Sequence, residues 1–235
     1  MFRKMKFLML IVFVLSGMTG LTLAEEKPEW VPEITADVMF ETKYIWRGQN
    51  LGDDPVVQPG ASASMAGLTF GIWGSYDTGS LDRFTEWDYI FDYSFNVGDM
   101  KEVLNIAQDT GAILDPVSVS LGYTYYTFPN LSGDGADTHE IYIGASYDML
   151  LQPFVTYYGD YDTGLGTYWE FGIGHAFEFQ DDIEANLGIS SGFNAGQWGF
   201  DWSMTSLLFS GDVTIPVIKY ITVSPNVNYS LSLDD

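Results

Sequence analysis

Nucleophilic and acid–base chemistry needs a base aimed at a nucleophile, and the chain offers little of either. Its 235 residues include two histidines, His139 and His175, and no cysteine. His139 stands beside Glu140 at the start of an alternating segment. His175 falls in the apolar series Trp169, Phe171, Ile173 and Phe177. Neither setting makes a triad, so the expectation is no enzyme and no cofactor. The carboxylates are the stronger feature: Asp37, Glu41, Glu86, Asp88, Asp92, Glu140, Asp160, Glu170 and Glu184 all fall on the polar side of alternating segments, joined there by Lys43 and Arg47. Rows of acids along a passage favour cations over anions, and two bases facing them set a transverse field. The competing reading is an interior packed shut by salt bridges. Acid pairs in loops, Asp53 with Asp54 and Asp160 with Asp162, read as solvated charge. The run NLSGDGADTHE places Asp134, Asp137 and Glu140 near glycines but lacks the spacing of a calcium loop.

These residues are positioned by a period-two pattern repeated along the chain, the signature of strands separated by turns. Trp87, Tyr89, Phe91, Tyr93 and Phe95 interleave with Glu86, Asp88, Asp92, Ser94 and Asn96, and only Ile90 interrupts the polar face. From Ile34 onward, Val38, Phe40, Tyr44 and Trp46 alternate with Asp37, Glu41, Lys43 and Arg47. The pattern predicts eleven strands: 34–47, 55–65, 67–77, 85–97, 117–128, 138–148, 152–162, 166–178, 182–193, 200–215 and 220–232. Long connections at 48–55, 78–85, 129–138 and 193–199 alternate with tight ones at 66, 149–151, 180–182 and 216–220. The exception is 98–116, where MKEVLNIAQ suits a short helix.

The first 24 residues carry Arg3, Lys4 and Lys6, the apolar run FLMLIVFVLSGM and a small-x-small site ending at Ala24. Residues 1–24 are therefore expected to be a cleaved signal peptide, 25–33 a periplasmic segment, and 34–235 the folded domain. Cleavage would leave six Lys and Arg against 32 acids, a net charge of −26. That balance argues against nucleic acid as a partner and favours cations or small polar solutes. Aromatic residues make up 16% of the chain, which argues against disorder.

No later stretch reaches the roughly 18 apolar residues of a spanning helix, so a membrane location would require a barrel. Alternation alone does not say which face is inside. Eleven strands enclose more volume than side chains fill, and the polar face is rich in Gly, Ser, Thr, Asn and acids, as a wet lumen would be. Trp46, Tyr76, Trp87, Tyr125, Tyr161 and Trp169, near strand ends, fit interfacial girdles. The expected fold class is an all-β, antiparallel transmembrane barrel.

The stretch TADVMFETKYIWRGQNLGDDPVVQPGASASMAGLTFGIWGSYDT, then TEWDYIFDYSF, resembles the TorF-type family of outer-membrane porins, with Ile72 of GIWG replacing the family's aromatic. GYTYYTFPN, HEIYIGASYD and VSPNVNYS extend the resemblance. It implies an outer-membrane location, lipid and the barrel-assembly machinery as partners, and passive diffusion of small polar solutes or cations through an acidic lumen. The alternative is a closed structural or adhesive barrel that binds a partner through acidic loops. The family ends in a terminal aromatic, whereas this chain ends Leu233, Asp234, Asp235. With an odd strand count, this suggests a barrel of about 12 strands whose closing strand is missing, or a strand split or merged in the reading.

Overall fold

A computed structural model describes residues 31–103, 106, 110–130 and 137–233. The expected signal peptide, all but the last three residues of segment 25–33, and Asp134 lie outside the described residues. The chain is all-β. β1 (Glu33–Glu41) is followed by the short strands β2 (Tyr44–Trp46) and β3 (Gln49–Gly52). Next come β4 (Val56–Met65), β5 (Leu68–Asp77), β6 (Arg83–Asn96), β7 (Val117–Thr127), β8 (Thr138–Tyr147) and β9 (Phe154–Asp160). β10 (Gly166–Glu178), β11 (Glu184–Ala195), β12 (Ser203–Ile218), β13 (Ile221–Val223) and β14 (Asn226–Ser232) complete it.

One antiparallel sheet runs β1-β4-β5 and then in chain order to β12, which pairs with both β13 and β14. Those last two are halves of a single pass: Ile215 faces Val223, Asp212 faces Asn226, and Pro225 between them has no N–H to donate. β1, the nine strands β4 to β12 and this split pass make eleven wall strands, as the alternation predicts. Each pass reverses the last, so β1 and β14 run in the same direction. Among the described residues no ladder joins them, although the Glu41 side chain hydrogen-bonds that of Asn226.

Two expectations are corrected. The first strand does not run from 34 to 47: the wall strand stops at Glu41, and Tyr44–Gly52 forms a separate hairpin. Of the helix expected over MKEVLNIAQ, residues 100–103 form turns, 104–105 and 107–108 lie outside the described residues, and the α-helix among the described residues is a single turn at Gly111–Leu114. The contrast between loop ends is also weaker than expected, since 78–82 and 161–165 hold five residues and 148–153, at the opposite end, holds six.

The two faces differ sharply. β1 alternates half-buried Thr35, Asp37 and Met39 with exposed Ile34, Val38 and Phe40. Outward-facing Val38 and Val227 are 72% and 73% exposed, and Phe70, Phe91, Ile143 and Leu187 continue the apolar exterior. The buried set is mostly polar instead: Ser75, Glu86, Asp88, Asp92, Thr124, Glu140, Asp160 and Asn194, with a tyrosine cluster of Tyr142, Tyr158 and Tyr168 and a few apolar side chains such as Val56 and Ile90.

Candidate functional site

The inner face is organised by the β2–β3 hairpin. Its turn is Arg47–Gly48, with φ of 51° and 82°, the paired positive values of a two-residue type I′ turn. Glycine is required at the second position: a Cβ there would sit 2.7 Å from Ser206 Cβ on β12. The wall wraps around this hairpin. Tyr44 packs on Trp73 of β5 with ring centroids 5.8 Å apart and donates its hydroxyl to Glu86 of β6 at 2.7 Å. Trp46 meets Tyr126 of β7 edge-on at 6.4 Å.

Arg47 reaches furthest. Its two terminal nitrogens donate to the two oxygens of Glu140 on β8 at 2.7 and 2.8 Å, and Nη1 also donates to Gln197 Oε1 at 2.7 Å. Gln197 donates in turn to Glu140 at 2.7 Å, and the Tyr126 hydroxyl at 2.9 Å. The guanidinium lies 4.2 Å from the Tyr158 ring centre, 4.6 Å from Tyr168 and 4.5 Å from Trp46. A planar cation caged by three rings and a bidentate carboxylate is a use that lysine cannot serve. Glu140 is only 1% exposed, so the pair is held away from solvent on the inner side of the sheet.

The other acids divide by partner. Glu86 and Asp88 are adjacent on the inner face of β6, both buried. Asp92 accepts from Tyr142 at 2.8 Å and from Ser94; the Tyr142 ring lies over Gly122, where a Cβ would overlap it. Asp160 takes both oxygens' bonds from Thr138 Oγ1 at 2.8 Å and the Asp162 N–H at 3.0 Å, which ties down the loop after β9. Glu170 reaches Ser190, and Glu184 accepts from Asn186 at 3.0 Å near the opposite end of the wall. Asp37 and Glu41 are half-buried on β1, each with one buried oxygen lacking a partner.

Three sequence placements are corrected. Arg47 is on the inner side, but at a hairpin tip and not on the first wall strand. Lys43 does not face the acids: it is exposed and pairs with loop Asp53 at 2.7 Å. That bond and a second from Asn50 hold the Asp53 carboxyl below its ordinary value of 3.8. Trp46 is a cage wall and not a girdle residue. Sequence reasoning also missed Asp77 and Asp212, whose strand parity places them with the acids, and Gln197, which sits in a 3-10 turn with no periodic signal.

The outer face carries aromatic rows towards the hairpin end of the wall. Tyr89 stacks on Tyr125 at 6.2 Å, Tyr125 on His139 at 4.6 Å, and His139 on Tyr161 at 5.8 Å, with Tyr123 hydrogen-bonded to His139 at 2.7 Å. Trp169 packs edge-on against Tyr157, ring centroids 4.9 Å apart. His175 touches Phe177 on the outer face.

No family model, curated protein or solved structure matches the chain. Fold and site together define a class: an all-β protein whose curled antiparallel sheet is apolar outside and acidic inside, with a hairpin folded across its interior.

Proposed function

We propose that this protein is a bacterial outer-membrane β-barrel of the porin type, related to the TorF-like porins, passing small polar solutes or cations along its acidic inner face. The observation that carries the reading is the inversion of faces: apolar side chains point outward on every wall strand while buried carboxylates line the inside. The outer aromatic rows suit the boundary between hydrocarbon and headgroups. Lipid outside, the assembly machinery during insertion, and cations inside are its partners.

The hairpin is the constriction. Arg47 spans from β2–β3 to Glu140, so the bore at that level is narrowed by a tethered segment, while Glu86, Asp88 and Asp92 leave the path acidic. A second reading, a closed structural barrel, draws on the same latch, whose carboxylate is almost wholly buried. Planar-bilayer recording of the purified protein decides between them. Cation-selective steps support the channel; a folded, inserted and silent protein, silent also when Arg47 is replaced by alanine, supports the closed barrel.

A further inference from the structure

Glu86 and Asp88 present a charge problem that the rest of the inner face does not. They are two residues apart on β6 and share its inner face, 4% and 7% exposed. Strand parity sends both carboxyls to the same side of β6. Tyr44 donates to one oxygen of Glu86, but Oδ1 of Asp88 is buried and has no partner. Arg47, the cation on the inner side, is committed to Glu140 and Gln197. Among the described residues no Lys, Arg or His forms an ion pair with either acid. Two buried like charges without a counter-ion are strongly unfavourable, and either a proton or a bound cation relieves them.

We infer that Glu86 and Asp88 form a binding site for a partly hydrated divalent cation of the oxygen-preferring kind, a resting point on the ion path. The inference rests on reading the inner face as that path. Each acid supplies carboxylate oxygen, and the hydroxyl of Ser75, fully buried, stands opposite Glu86 in the β5–β6 ladder. Among the described residues no third His, Cys, Asp or Glu completes a cage, so water holds the remaining positions. Such a site binds weakly enough to release its ion, on the order of 10⁻⁴ to 10⁻³ M for calcium. Trp73 faces Asp88 directly across the ladder, which puts an indole beside the ion.

The test is calcium titration by calorimetry of the full chain folded in detergent. The expected result is a saturable site weakened at least tenfold in Asp88→Asn and in Glu86→Gln and unchanged in Asp201→Asn, an exposed loop acid. Terbium emission sensitised by Trp73 supplies a readout in the wild-type chain, displaced by calcium and more than halved by Trp73→Phe. Equal calcium heats in all variants, or no saturable heat in the wild type because the pair holds a proton instead, overturn the inference. No bilayer is involved: a chain that conducts without binding calcium keeps the channel and loses the site, and one that binds without conducting does the reverse.

Discussion

Arg47 and Glu140, 93 residues apart in sequence, meet through two parallel hydrogen bonds of 2.7 and 2.8 Å inside the curve of the sheet. Both side chains are nearly removed from solvent, 9% and 1% exposed. Removing one partner of such a pair leaves the other buried and uncompensated, at a cost of about 3 kcal/mol. Arg47→Ala is expected to lower unfolding stability by roughly that amount in denaturant titration, and Glu140→Gln on the same background to restore part of it. In bilayers Arg47→Ala widens the constriction and raises single-channel conductance. Unchanged stability and conductance would refute the latch.

Tyr142 provides a second test, because its hydroxyl reaches across β7 to Asp92 at 2.8 Å while its ring lies over Gly122. Tyr142→Phe removes one bond to a buried carboxylate, about 2 kcal/mol. Gly122→Ala overpacks the ring from below, about 1–3 kcal/mol. Because they act on one ring, the double variant is expected to lose less than the two singles added, which a double-mutant cycle measures.

A charged residue on the outer face reports on the solvent there. Phe91, half exposed near the middle of β6, is expected to cost about 2–4 kcal/mol when replaced by arginine if hydrocarbon surrounds it. The same substitution on a water-facing wall is close to neutral. Folding yield and stability in lipid vesicles distinguish the two, and a neutral Phe91→Arg in vesicles would count against the membrane reading.

The loop pair Lys43–Asp53 titrates with a known sign. Asp53 has a folded-state pKa below the ordinary 3.8, so its small stabilising effect is complete above that value and fades as pH falls through the lowered one. Carbon-detected NMR titration of Asp53 should find the depressed pKa, and Lys43→Ala should return it towards 3.8.

The wall was legible because period two is a direct consequence of the pleat, so eleven passes and the inward carboxylates of β6, β8 and β9 follow from parity. The hairpin was not, for a specific reason. Tyr44 and Trp46 keep the same parity as Val38 and Phe40, and alternation does not record that the chain leaves the sheet at Thr42 and Lys43. The residues then face the interior, where aromatic rings cage Arg47, while an unbroken strand would have turned them to the outside. Gln197 was invisible for another reason: its role depends on a contact 150 residues away and on no local pattern.

The reach of that hairpin constrains the order in which the molecule comes together. Arg47 is enclosed by side chains from β8, β9, β10 and the turn at 197, all synthesised after it. Contacts of this sequence separation form slowly, because the intervening chain must be ordered first. The hairpin is thus the piece of chain around which the later wall strands lie, and the Arg47–Glu140 bond ties its tip to a strand that follows 93 residues later.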